Sequence, residues 1–250
     1  MKTNNGGETS YDVPLNFSTE SDEDSVPIAK RRLFEGVLKR KGKETETEND
    51  DELWFNFEGT IAKFGIRKFE AITGLNCVPL PIVDNSKVKG KFLSKYFKNE
   101  DPISRSRVSF LFNESKKLKE EDKIKMAKIY FLENFLLGKQ FTTGCDFEHI
   151  KLLDDEQYFD AYPWGRIGYN VLIDSIKKSI KNPSALDVGI SGFAYSLLVW
   201  VYDCVPLLID PSIFCAQKID DNKICILNWI VNNHPEWKEL AERVFNHEHV

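Results

Sequence analysis

Apolar and polar positions change rhythm between Glu52 and Leu75, and the rest of the chain takes its order from that stretch. Leu53, Phe55 and Phe57 alternate with Trp54 and Asn56, the period of a strand. Glu58-Gly59 follows, and Gly59 accepts the positive φ of a tight hairpin turn. Ile61, Ala62 and Phe64 make a second short strand. The spacing then lengthens: Ile66, Phe69 and Ile72 share one helical face. Gly74 stands where a glycine ends a helix, and Leu75 supplies the hydrophobic contact of that cap. Pro79 and Pro81 bar any continuation. The pattern predicts a hairpin packed on a short helix inside a core. A competing reading exposes Trp54 and Phe55 as an aromatic platform for a partner.

Further on, Phe92, Leu93, Tyr96 and Phe97 have helical spacing within Lys87 to Lys98, and Asp101-Pro102 ends that segment. Ser104 reads as the cap of a helix carrying Val108, Leu111 and Phe112. Ser115 to Leu137 reads as one long helix, charged and exposed in its first half and apolar and buried in its second, with Gly138 as terminator. Phe147 to Leu153 reads as a short apolar turn or helix, and Asp154 to Gln157 opens the next. In Tyr162-Pro163-Trp164-Gly165 the proline turns the chain and the glycine permits a bend. From Arg166 an amphipathic helix runs to Asn182-Pro183 through Ile167, Leu172, Ile173, Ile176 and Ile180. Ser191 to Val205 is a strongly apolar helix with Ser191 as its cap and Trp200 near its centre. The corner predicts Trp164 as a plug between these two helices; a competing reading exposes its indole as a partner anchor. Ile224 to Val231 reads as helix in preference to strand. Pro235 opens a terminal amphipathic helix with Trp237, Leu240, Ala241, Val244 and Phe245.

The fold class is thus α+β, mainly α-helical. Residues 50–250 form one helical domain with one small β-hairpin near its start. Residues 1–49 differ in kind. They alternate acidic runs with basic clusters and hold too little apolar surface to offset the entropy of ordering. They are expected to be a disordered tail. Within it Lys30, Arg31 and Arg32, then Lys39, Arg40, Lys41 and Lys43, resemble a nuclear import signal. A solvated charged tail or a short helix is the plainer alternative.

The net charge of −5 opposes bulk attraction to nucleic acid or anionic membrane, while leaving room for a local patch. No run of 18 apolar residues predicts a membrane span. No apolar stretch near the start reads as a secretory signal. Five cysteines, an odd number, read as reduced intracellular thiols.

Candidate chemistry is sparse. A thiol protease needs Cys, His and an orienting acid together. Cys145 and His149 are the one close pair, in a loop-rich region. Cys204 and Cys225 sit in apolar patterns and read as inert core thiols. Cys204, Cys215 and Cys225 lack the close spacing of structural zinc sites. GRIG and GISG lack both the spacing and the lysine of a phosphate loop. The expectation is no catalytic residue, no cofactor and no metal.

Three blocks of sequence carry a family resemblance. They are DDELWFNFEGTIAKFGIRKFEAITGL (Asp50 to Leu75), YFDAYPWGRIGYNVLIDSI (Tyr158 to Ile176) and YSLLVWVYDCVPLL (Tyr195 to Leu208). In this order they resemble the plant domain of unknown function 1985, over residues 50–208. The resemblance marks Trp54, Phe55, Gly59, Phe64, Phe69, Gly74, Leu75, Tyr162, Pro163, Trp164, Gly165, Arg166 and Trp200 as structural motif residues. It implies a plant protein derived from Mutator-like transposable elements. It also implies a domain that often precedes a Ulp-type SUMO-protease-like cysteine peptidase. The hairpin followed by ITGL is distantly similar to the plant mobile domain. Two departures stand out: the acidic and basic tail occupies the place of the family's earlier helical sequence, and no peptidase counterpart follows Leu208. The resemblance implies no catalytic residue at any position here.

Taken together, these readings predict a non-catalytic intracellular interaction module, nuclear in setting, with an unknown protein partner and no membrane. Two rivals stand beside it. One is a nucleic-acid-binding accessory domain, favoured by the basic clusters and by Lys87 to Lys98, with weak nucleic-acid contact. The other is a remnant of a Ulp-like cysteine peptidase protein lacking its catalytic domain.

Overall fold

A computed structural model describes residues 52–232, apart from 58–59, 82–88, 99, 140–142, 182–189, 214 and 221. The tail with its basic clusters, Gly59 and the terminal segment from residue 233 lie outside the described residues. Strands β1 (Leu53–Phe57) and β2 (Thr60–Phe64) pair antiparallel, with Leu53 opposite Phe64 and Phe55 opposite Ala62. The two-residue period puts Leu53, Phe55 and Phe64 inward, all buried, and leaves Trp54, Ile61 and Lys63 outside. Helix α1 (Ile66–Thr73) follows at once and buries Phe69 and Ile72. Gly74 ends it at φ 68°, and its amide donates to the Glu70 carbonyl at 2.8 Å. A side chain there would strain the backbone. Leu75 packs against the core beyond it, as the cap pattern predicts.

Helix α2 (Lys91–Tyr96) is short and borrows its cap. The Asp154 carboxylate accepts from the backbone amides of Lys91 and Phe92, the latter at 3.0 Å. Helix α3 (Arg105–Asn113) carries the expected cap: the Ser104 hydroxyl accepts from the Arg107 amide at 3.1 Å.

The long helix expected over Ser115 to Leu137 is broken. A 3-10 turn at Glu114–Lys117 ends in extended Leu118, and α4 (Glu120–Phe131) starts afresh. Glu120, Glu121 and Asp122 fill its first turn, where the helix dipole favours carboxylates, so the charged run marks a new start. The C-terminal end widens into a π turn, Leu132–Leu136, closed by the Leu137 amide on the Leu132 carbonyl at 2.9 Å. Gly138 then ends the segment at φ 41°. The apolar second half is not wholly buried either: Ile124, Phe131 and Phe135 face solvent.

Helices α5 (Phe147–Leu152) and α6 (Glu156–Ala161) are capped by the side chains of Asp146 and Asp155. Helix α7 (Trp164–Lys181) begins two residues before Arg166. Helix α8 (Ala194–Cys204) begins three residues after Ser191, with no side-chain cap. Ser191 instead donates its amide to the Ser175 hydroxyl on α7 at 2.8 Å. All of Ser196 to Tyr202 on α8 is buried, which makes it the central helix, and α1 packs on both α7 and α8.

The helix expected at Ile224 to Val231 is a 3-10 turn, Cys225–Leu227, and a strand, β4 (Trp229–Val231). It pairs antiparallel with β3 (Ala216–Lys218), so the described residues hold two small hairpins. Trp229, Ile230 and Val231 all favour strands, and the run is too short to repay helix nucleation. One small hairpin is therefore corrected to two, within the α+β, mainly α-helical class.

Candidate functional site

Three of the motif residues, Leu75, Gly165 and Arg166, meet along one seam. Leu75 to Val78 leaves α1 and runs against the start of α7. The Gly165 amide donates to the Asn76 carbonyl at 3.0 Å, and the Asn76 side-chain amide donates to the Ala161 carbonyl at 2.9 Å. Arg166 Nε reaches the carbonyls of Cys77 and Val78 at 2.9 and 2.8 Å. A Cβ on Gly165 would lie 2.7 Å from both the Asn76 oxygen and Cys77 Sγ, and 2.8 Å from Leu75 Cβ. Gly165 thus serves close approach and sits inside the helix; it does not make the bend expected of it. Tyr162 is extended, with ψ 143°, as the following Pro163 requires, and Pro163 is buried.

The first and third blocks meet through rings. Trp200 on α8 lies 5.0 Å from Phe55 and 5.3 Å from Phe64, and Tyr169 on α7 lies 5.6 Å from Phe69. Phe55 therefore belongs to the core. Trp54 alone of the expected platform faces out, with the Lys63 ammonium 3.9 Å from its ring centre.

Trp164 is buried, but not between α7 and α8. Its indole N–H donates to the Phe159 carbonyl at 2.7 Å, and its ring contacts Phe159, Tyr162 and the edge of His149. It plugs the junction of α5, α6 and α7. Because α7 starts at Trp164, the indole points back over the preceding turn towards its own N-terminal side.

His149 opens onto a polar knot whose acid and base the sequence reading did not single out. Arg105 on α3 and Glu133 in the π turn are each 1% exposed, and Arg105 Nη2 lies 3.1 Å from Glu133 Oε2. Arg105 Nε donates to the Glu133 carbonyl at 2.9 Å and Nη1 to the Thr143 carbonyl at 2.6 Å. His149 Nδ1 lies 2.9 Å from the other carboxylate oxygen of Glu133. The signal in sequence is weak: one arginine opening a helix and one glutamate in an apolar run.

Cys145 stands beside this knot, so Cys, His and an acid do come together. The arrangement does not activate the thiol. Burial pushes the Cys145 pKa up to about 12, helped by the Glu133 charge and a hydrogen bond to it. Glu133 is already engaged by both Arg105 and His149. A nucleophile needs the opposite shift. Cys77 is likewise raised to about 11, by burial and then by Glu70. Cys204 and Cys225 are half-buried rather than core, and both are raised by burial first and then by Asp203. They line a shallow depression of about 400 Å³ with Lys63, Lys68, Trp200 and Asp203. Among the described residues no group of three or more His, Cys, Asp or Glu residues could hold a metal ion, and no helix is long and apolar enough to cross a membrane.

One surface feature is continuous. Phe112 stacks on Tyr130 at 4.2 Å, and Tyr130 meets Phe135 at 5.6 Å. Phe135 stacks on Phe131 at 6.0 Å, Phe131 meets Phe193 at 6.2 Å, and Phe193 meets Tyr195 at 5.9 Å. Phe131, Phe135 and Tyr195 in this run are exposed. The i, i+4 spacing of Phe131 and Phe135 was the available signal, hidden by reading that half-helix as buried.

Two stability tests follow. Trp164→Ala removes a buried indole and its hydrogen bond, which costs ~3–5 kcal/mol. The thermal midpoint should drop by at least about 6 °C; a change under about 2 °C would mean that the indole is dispensable to the fold. Glu133→Gln leaves the Arg105 charge buried and uncompensated, a loss of ~3–5 kcal/mol in urea unfolding. A loss below about 1 kcal/mol would show that the pair is not a structural tie.

No curated protein and no solved structure matches the chain. A family model described as Domain of unknown function (DUF1985) matches residues 42–175. That span takes in the first motif block, the second up to Ser175 and the seam between them, and leaves the third block outside. It covers more than half of the 250 residues, and the chain belongs to this family.

Proposed function

We propose that the chain is a non-catalytic protein-interaction module, and that the aromatic run from Tyr130 to Tyr195 is its docking face. The observation that carries this is the continuity of rings across α4, the π turn and the start of α8, with Phe131, Phe135 and Tyr195 exposed. Rigid aromatic side chains cost little entropy on binding and are enriched at interface anchors. The seam and the polar knot would then serve as scaffold, holding the π turn and the start of α8 in fixed relation.

The wider setting is proposed on the resemblance of the three blocks: a plant, transposon-derived protein of the Mutator-like kind. Nuclear entry through Lys30, Arg31, Arg32, Lys39, Arg40, Lys41 and Lys43 is proposed on their clustering alone, since they lie outside the described residues. Two observations weigh against the rivals. Lys95, within the basic stretch suggested for nucleic acid, lies over Tyr96 and is paired with Asp122 at 2.5 Å. The raised Cys145 thiol weighs against peptidase chemistry at the Cys145–His149 pair.

A photo-crosslinking residue placed at position 135 tests the docking face in intact cells. It should form a discrete protein adduct, lost on Phe131→Ser. A control at Lys117, which is 85% exposed, should not form that adduct. Adducts to nucleic acid, or equal labelling from both positions, would overturn the reading.

A further inference from the structure

Strand β2 has a ladder partner on one side only, because the β1–β2 ribbon gains no third strand among the described residues. The register pairs Phe57 with Thr60, and these two residues exchange both backbone bonds because they close the hairpin. The bonded pairs then alternate along the ribbon, so Phe55–Ala62 and Leu53–Phe64 are bonded as well. The amides and carbonyls of Ile61 and Lys63 therefore point away from β1, along the outer edge of β2. No described residue bonds to these groups. Ile61 is 54% exposed, and Lys63 is exposed beside it.

This edge runs along the depression of about 400 Å³ that Cys204 and Cys225 line. Ala62 and Lys63 both line it, although successive side chains of a strand point to opposite faces, and no β1 residue does. The depression therefore follows the outer edge of β2. Ala62, Ile72 and Trp200 give it an apolar floor, and its charged groups are Lys63, Lys68 and Asp203. Lys68 is exposed and forms no ion pair with a described residue. The two lysines outweigh the one acid, so the rim favours a negative group.

An open strand edge is complemented by another extended backbone. In antiparallel addition, the incoming residues opposite Lys63 and Ile61 take up the outward bonds, and the residue between them lies opposite Ala62. Directly opposed residues share a face of the sheet. The middle side chain therefore points to the same side as Ala62, towards the floor with Ile72 and Trp200. The side chain opposite Lys63 shares the face of the lysine, where an acid is favoured. A lysine on an open edge discourages indiscriminate pairing, and the same charge makes the edge selective for an acidic strand.

We propose that β2 accepts an extended peptide of a partner protein as a third, antiparallel strand, with an acidic residue opposite Lys63 and an adjoining apolar residue seated in the depression. This edge lies by the last turn of α8, whereas Tyr195 of the aromatic run lies at its start, and the proposal does not depend on that run binding anything.

Sorting a phage-displayed library of random short peptides on the full-length chain tests it. Enriched sequences should place an acid next to an apolar residue and carry no proline between the two ends. Ile61→Pro removes the outward amide and leaves the bonds to β1 intact. It should weaken an enriched peptide by roughly tenfold or more in fluorescence anisotropy, whereas Ile61→Thr, which keeps the amide, should leave binding nearly unchanged. Methylating the peptide's backbone nitrogens one at a time should abolish binding at alternate residues and spare those between, a pattern that no loss of folding in a variant can produce. Lys63→Glu with Lys68→Glu should turn the library's preference from acidic to basic residues. Peptides that bind Ile61→Pro as well as the wild type, no enrichment at all, or methylation effects without alternation would overturn the proposal. So would a dimer of the chain that is lost on Ile61→Pro, which would assign the edge to a second copy.

Discussion

The close approach of residue 165 to the segment after α1 is the constraint on which the rest of the structure depends. Two backbones touch there without a side chain between them, and a Cβ would sit 2.7 Å from the Asn76 oxygen. That contact aims α7 along α1, so that Tyr169 reaches Phe69 and Phe64. Phe64 in turn sets the hairpin on Trp200 and fixes α8. Arg166 secures the seam by binding carbonyls that belong to no helix or strand, which would otherwise need water. Gly165 and Arg166, together with the rings of Phe55, Phe64, Phe69, Tyr169 and Trp200, thus tie a hairpin, a short helix and two longer helices to one another.

A second tie works at the other side. Arg105, Glu133 and His149 link α3, the π turn and α5, and Trp164 joins them from the start of α7 through the His149 ring. Buried charges are costly, and such a pair contributes less to stability than to specifying one arrangement of the elements around it. Here it fixes the turn that presents Phe131 and Phe135 outward. The same crowding that secures the knot keeps Cys145 protonated, so structural and catalytic demands on these groups point in opposite directions.

Much of this fold was legible in the sequence because the signals were local. The Phe55 and Phe64 alternation, the Gly74 cap and the Ser104 cap each report on neighbours a few residues away. What stayed hidden was long-range. Glu133 lies in an apolar run, and nothing nearby says that Arg105, 28 positions earlier, meets it. Ala216–Lys218 carries no strand alternation of its own, so its pairing with Trp229–Val231 could not be read. The break at Leu118 was masked by good helix formers on both sides. Gly165 looked like a bend because a sequence shows that a glycine is present, and only packing shows which backbone it admits. The candidate surface was harder still, since Phe131 and Phe135 have the same spacing whether they face the core or the solvent.

Native-state hydrogen exchange in Gly165→Ala tests the central claim most directly. If the seam holds the elements as one body, amides in α1 at Phe69 and in α7 at Ile173 should both exchange faster, by a similar factor of at least tenfold. They should share one opening free energy with α8 at Trp200. If only the amides of Asn76 to Val78 and the first turn of α7 respond, while Phe69, Ile173 and Trp200 keep their protection, the seam is a local contact and the account is wrong.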